Sequence, residues 1–169
     1  SGNYAIPGLW DMHVHISKPS LAEKSLALYV ANGVTNVRDM GGVWGDILAL
    51  REKSLQPGII APRLWIAGPM VDGIPVVFDG VVEKPAMAVG VATPAEAVAL
   101  VDKLASQDVD FIKVYETLRP DVFTAITTRA HYQGMPVDGH IPMRMTIMEA
   151  IAAGQDAQQP KLAAALECR

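Results

Sequence analysis

The sequence predicts an α/β protein built on a parallel sheet, and three observations carry that prediction. Short apolar runs of strand length alternate along the chain with longer segments of helical periodicity. Helix start and stop signals separate the two kinds of segment. Five strands that each lead into a helix imply right-handed crossovers between parallel neighbours.

Each element has its own signals. Leu9–His15 reads as strand one. Ser20-x-x-Glu23 is a capping box that opens an apolar-periodic helix, and Gly33 ends it. Thr35–Asp39 is strand two, and Trp44–Lys53 fits a helix. Arg63–Ala67 is strand three, entered after the breakers Gln56-Pro57-Gly58. Residues 69–92 carry Pro69, Gly73, Pro75, Gly80, Pro85 and Gly90, and read as one long loop of the kind that is often functional. Thr93-Pro94-Ala95-Glu96 caps a helix running to Gln107, with proline at its first position. Asp110–Tyr115 is strand four. Pro120–Tyr132 is a helix stopped by Gly134, and Met135–His140 is strand five. Thr146-x-x-Glu149 lies in a further helix ended by Gly154, after which Asp156 opens a sixth strand.

Composition narrows the class. The chain of 169 residues is 50% hydrophobic and 19% charged, which specifies a globular domain with a core and not a disordered chain. A net charge of −4 argues against a nucleic-acid partner. No apolar run approaches the ~20 residues that span a bilayer, so a soluble protein is expected. No secretory signal is visible, which says little about the compartment, and that is left open with cytoplasmic as the forced choice. One cysteine, Cys168, excludes an internal disulfide framework. Residues 161–169, with Lys161-Leu162-Ala163-Ala164-Ala165-Leu166-Glu167, resemble the linker that expression vectors encode ahead of a C-terminal tag. They are set aside, leaving residues 1–160 as the domain.

The stretch Pro7-Gly8-Leu9-Trp10-Asp11-Met12-His13-Val14-His15 holds the chemistry. Alternate side chains on a strand share a face, so His13 and His15 point the same way about 7 Å apart. Two imidazoles on one rigid strand can hold a divalent metal. A bare His-x-His is weak evidence; the whole phrase is specific. It resembles the first barrel strand of the amidohydrolase superfamily, metal-dependent hydrolases on a (β/α)8 barrel.

The resemblance continues at three further places. Gly33-Val34-Thr35-Asn36-Val37-Arg38-Asp39-Met40-Gly41-Gly42 looks like the second strand and loop of imidazolonepropionase- and prolidase-like members. Phe111-Ile112-Lys113-Val114-Tyr115 resembles the fourth strand, which ends in a metal-bridging lysine. Gly134-Met135-Pro136-Val137-Asp138-Gly139-His140 resembles the fifth, with its metal-binding histidine. The alternation alone fits an open doubly wound sheet as well as a barrel, and no Gly-x-Gly-x-x-Gly turn supports nucleotide binding. The resemblance selects a partial TIM barrel, truncated to strands one to five with the start of a sixth, since a complete barrel needs about 250 residues.

The resemblance implies a site. His13, His15, Lys113 and His140 would be the metal ligands, with Lys113 and His140 also catalytic. All fall at the C-terminal ends of strands, the face on which barrel active sites sit. The cofactor would be one or two divalent ions, zinc first, bridged by a carbamylated Lys113. An ammonium has no lone pair to offer a metal, so the carbamate is needed. Arg38 and Tyr115 are candidate substrate-binding residues, although Arg38 and Asp39 also suit a mutual ion pair. His131 reads as a surface or packing residue. The sequence departs from the family at Gly154-Gln155-Asp156-Ala157-Gln158-Gln159-Pro160, where proline stands in place of a metal histidine. The aspartate of the eighth strand, the family's general base, has no counterpart here.

Two functions are expected. One is a metal-dependent hydrolase whose activated water attacks an amide, peptide-like, ester or phosphoester bond of a small-molecule substrate. The other is a non-enzymatic barrel, either an inactive folded fragment with or without bound metal or an assembly module. In either case the open strand edges and apolar sheet face favour a homo-oligomer that covers them.

Overall fold

The computed structural model describes residues 2–17, 22–80 and 86–159, without the side chain of Glu23. Among these residues the elements run β1 (Leu9–Val14), α1 (Ala22–Ala31), β2 (Val34–Asp39), α2 (Trp44–Ser54), β3 (Arg63–Ile66), β4 (Met70–Asp72), β5 (Ala88–Gly90), α3 (Pro94–Ala105), β6 (Ile112–Val114), α4 (Pro120–Tyr132), β7 (Val137–Gly139), α5 (Ile147–Ala152) and β8 (Ala157–Gln158). Ser20, and with it the first capping box, lies outside the described residues, as do residues 160–169. No helix among the described residues is long and apolar enough to cross a membrane.

All strand pairs are parallel, in the orders β1-β2-β3 and β5-β4-β6-β7-β8. The two sheets form one wall. β3 and β4 follow each other across a break at Ala67-Gly68-Pro69; β3 pairs with β2, whereas β4 lies between β5 and β6. The Asp110 N–H donates to the Ile66 carbonyl (2.8 Å), and the Asp110 carboxylate accepts the Ile66 N–H (2.8 Å), which carries the wall from β3 to the foot of β6. Gly68 makes the break possible. It sits at φ +73°, and a Cβ there would lie 2.8 Å from the Trp44 ring.

The long loop read at 69–92 is therefore corrected: it contains β4 and β5. Three-residue strands among six prolines and glycines leave no periodicity to detect. Their order comes from burial of Met70, Val71 and Asp72. Asp72 organises the turn after β4 and ties it to the segment after β6. Its carboxylate accepts from the backbone N–H groups of Gly73 (2.9 Å), Val77 (3.1 Å) and Thr117 (2.8 Å), and from the Thr117 hydroxyl (2.8 Å).

The remaining elements lie close to the expected ones. α4 spans Pro120–Tyr132 as read. Strands four and five shorten to three residues each, and the sixth strand to two. Thr93 caps α3 by accepting the Glu96 N–H (3.2 Å), while the Glu96 carboxylate accepts the Ala92 N–H (2.7 Å). Thr146 lies just ahead of α5 as its N-cap, in a capping box with Glu149.

The core lies between the sheet and its helices. Val14, Val37, Leu64 and Ile66 pack against Leu26 of α1 and Ile47 and Leu50 of α2. Ile112, Val114 and Val137 pack against Val101 and Leu104 of α3 and Phe123 and Ile126 of α4. Each such fully buried side chain stabilises by roughly 1.5–3 kcal/mol. The Asp102–Arg129 ion pair (2.5 Å) ties α3 to α4 at the surface. The edge strand β1 differs from the core. On β1, Leu9, Trp10 and Met12 remain about half exposed.

Candidate active site

The site begins with an irregularity in β1. Asp11 pairs with Val37 and Val14 with Asp39, so Met12 and His13 together face the single residue Arg38. Such a bulge re-aims side chains, and bulges concentrate near functional sites. Arg38 fills the disturbed ladder by donating from Nε to the Met12 carbonyl (2.9 Å).

His13 and His15 converge. Their Nε2 atoms are 3.3 Å apart. Each Nδ1 meets a carbonyl oxygen at 2.7 Å, His13 at Gln159 Oε1 and His15 at the Gly41 carbonyl. A carbonyl can only accept, so both Nδ1 atoms carry protons and both neutral rings aim Nε2 lone pairs at each other. Facing lone pairs repel unless a cation sits between them. Two nitrogens bound tetrahedrally to zinc at about 2.05 Å are themselves about 3.3 Å apart. The donor pair therefore fits a metal. Burial also holds His13 below the ordinary imidazole value, which favours the neutral form a metal needs.

Asp39 secures the loops beneath this pair. Its carboxylate accepts the N–H of Ile16 (2.8 Å), just after β1, and of Gly41 (3.2 Å), just after β2. It thereby fixes both His15 and the carbonyl that orients it. Burial pushes the Asp39 carboxyl up to about 6.

Lys113 rises from β6 into the same space. It is buried, and Nζ has no hydrogen-bond partner. Burial lowers its ammonium to about 8, against the opposing pull of Asp138. An unpartnered buried amine close to neutrality is the form that reacts with carbon dioxide, so Lys113 also fits the expected carbamate. Tyr115 comes next, with Phe78 edge-on to its ring (centroids 5.5 Å) and the His140 ring tilted against it (4.5 Å). His140 Nδ1 lies 2.9 Å from Glu116 Oε1, a carboxylate–imidazole pair that orients the ring.

His13, His15, Lys113, Tyr115 and His140 line one cavity of about 290 Å³, whose apolar wall is Met70, Phe78 and Met87. Among the described residues, no three His, Cys, Asp or Glu side chains approach closely enough to hold an ion. His140 thus shares the cavity with the His13–His15 pair without completing a three-histidine cluster. Arg38 is not part of the lining. The suggested Arg38–Asp39 pair is corrected: Arg38 pairs with Asp138 (2.6 Å) and lies over the Phe111 ring, because its side chain and that of Asp39 leave β2 on opposite faces. His131 pairs with Asp156 (2.8 Å) at the surface, away from this cavity.

Three polar residues of the site carry no role in the sequence reading: Asp138, Glu116 and Gln159. Asp138 stands inside a recognised phrase two positions before His140, a spacing that places both on one strand face. Gln159 had no local signal.

A wall of parallel strands with polar residues gathered at their C-terminal ends has the architecture of a partial (β/α)8 barrel. Among solved structures, the chain is similar to Aspergillus niger ochratoxinase (TM-score 0.74, 18% identity, 90% of this chain and 46% of that one). It is similar to a Xaa-Pro dipeptidase with methionine bound in its active site (0.72, 23%, 90% and 47%). It is also similar to the bottromycin amidohydrolase (0.72, 25%, 89% and 32%). The chain spans less than half the length of each, and these neighbours are hydrolases. No protein-family model and no curated protein matches the sequence.

Proposed function

We propose that this chain carries the metal-binding half of a hydrolase site that acts on an amide or peptide-like bond, with esters and phosphoesters as simpler substrates. The observation that carries the reading is the His13–His15 pair, with two Nε2 lone pairs 3.3 Å apart on the wall of a cavity. The residues that would hold a divalent metal are His13 and His15, joined by Lys113 as its carbamate and by His140. Zinc suits the imidazole donors, as do copper, iron and nickel. When bound, such an ion polarises a carbonyl and lowers the pKa of water toward 7.

The protein's own groups supply the rest. Glu116 orients the His140 ring through Nδ1, which leaves Nε2 as the nitrogen that would face the metal. Tyr115, Phe78, Met70 and Met87 exclude water and pack an apolar substrate part. The cavity is at the small end of ligand pockets, which run from roughly 300 Å³ upward. That size suits a dipeptide or an N-acyl amino acid. The dipeptidase likeness supports the same class, and the whole-barrel relatives suggest it for a longer protein.

An inactive metal-binding fragment is the second reading. It is favoured by the absence, among the described residues, of a cluster of three carboxylate, thiol or imidazole ligands. Self-association belongs to both readings, because Leu9, Trp10 and Met12 leave β1 with an apolar edge; sedimentation shows whether the protein is a monomer.

Elemental analysis beside a His13→Ala/His15→Ala variant tests the proposal. One or two equivalents of metal, lost in the variant, together with metal-stimulated cleavage of an activated ester that vanishes in His13→Ala, would establish it. Metal without turnover would select the inactive fragment. No metal after reconstitution with bicarbonate would sink the hydrolase reading and leave an inactive structural fragment.

A further inference from the structure

Gln159 and His13 are 146 positions apart in sequence and stand at edge strands of the two sheets, one just past β8 and the other on β1. The Gln159 backbone is fixed first. Its N–H donates to the Gly139 carbonyl (2.9 Å), extending the β7–β8 ladder. From that rung the side chain reaches His13 Nδ1 at 2.7 Å.

The contact is one link in a closed circuit. Gln159 Nε2 donates to Asp138 Oδ1 (2.9 Å). Asp138 Oδ2 meets the Arg38 guanidinium (2.6 Å). Arg38 Nε donates to the Met12 carbonyl (2.9 Å), on the residue directly before His13. The circuit therefore starts and ends at the bulge of β1. Gln159 and Asp138 are both buried, so neither can exchange its partner for water.

The chemistry of the links sets their direction. The Asp138 carboxylate, paired with Arg38, only accepts. It takes the amide nitrogen of Gln159, which leaves Oε1 for His13. That oxygen also only accepts, so the proton of a neutral His13 sits on Nδ1 and the lone pair on Nε2. We propose that Gln159 is a positioning residue that, held by Asp138 and Arg38, fixes the His13 ring and tautomer so that Nε2 presents its lone pair toward His15 Nε2. The metal consequence of this role rests on the function proposed above; the tautomer consequence does not.

The test is long-range ¹H–¹⁵N correlation spectroscopy of the metal-free protein at mildly alkaline pH, which reads each histidine's tautomer, paired with zinc titration. Wild type should show His13 protonated at Nδ1. Gln159→Leu should move the proton to Nε2, where His15 Nε2 can accept it, and weaken zinc binding about 10–100-fold. The reciprocal exchange Asp138→Asn/Gln159→Glu reverses the donor and acceptor of the middle link and keeps an oxygen on His13. With the amide spectrum showing an intact fold, it should restore the Nδ1 proton. A His13 proton on Nε2 in wild type, an unchanged tautomer in Gln159→Leu, or no recovery in the folded double variant would each overturn the assignment. If wild type binds no zinc yet shows the expected tautomers, the proposed function fails and the role of Gln159 stands.

Discussion

Lys113 and Asp138 are register partners across the β6–β7 ladder, yet they do not neutralise each other. The Asp138 carboxylate is engaged by Arg38 and Gln159, while Lys113 Nζ is buried without an acceptor. A cation so placed costs stability, and in an active site that cost is offset only by function.

Lys113→Met should therefore stabilise the fold. A buried ammonium held near 8 instead of 10.5 destabilises the folded state below that value. The unfolded chain binds more protons between the two values, so wild-type stability rises from about pH 8 to about 10.5. Urea unfolding near pH 6 should show Lys113→Met more stable by about 1–3 kcal/mol, with the gain shrinking above pH 8. A less stable variant at pH 6 would mean that Lys113 has an acceptor or carries a carbamate.

Zinc should stabilise the wild type and not His13→Ala. A ligand that binds only the folded state adds about 2.7 kcal/mol at a hundredfold excess over its Kd. Thermal unfolding with and without zinc reads this directly. An equal shift in His13→Ala would place the bound metal elsewhere.

Removing Arg38 should be costly. Arg38→Met strands the Asp138 carboxylate, whose side chain is 3% exposed, and loosens the bulge that Arg38 bonds at Met12. Losing one partner of a buried pair costs about 3–5 kcal/mol. Chemical denaturation gives the value. Asp138→Asn added to Arg38→Met should recover part of the loss, because it removes the uncompensated charge.

Asp39 should tilt the stability profile at acid pH. Its carboxyl is raised to about 6 from an ordinary 3.8, so in that interval the folded state holds a proton that the unfolded state has released. The Asp39 contribution therefore falls as pH rises through the interval, by about 3 kcal/mol, and is level above it. Asp39→Asn lacks this titration. Its stability relative to wild type should improve between about pH 4 and about pH 6, on top of a constant loss. That loss arises because an amide cannot accept both the Ile16 and Gly41 N–H groups. A difference that does not change with pH would show that Asp39 is not shifted.

The sequence by itself determined what local pattern can determine. The alternation of strands and helices, the Pro120–Tyr132 helix and the Thr93 cap come from periodicity and from groups within a few residues of each other. So does the shared face of His13 and His15, which strand geometry imposes. Tertiary structure decided the rest, because it depends on partners distant in the chain. β4 and β5 exist because burial beside β6 outweighs their breaker-rich sequence. Arg38 turned to Asp138 and not to its neighbour Asp39 because adjacent strand residues point to opposite faces. Gln159 acquired a partner only when the sheet curved far enough to bring its last strand across from its first, a relation that no local spacing encodes.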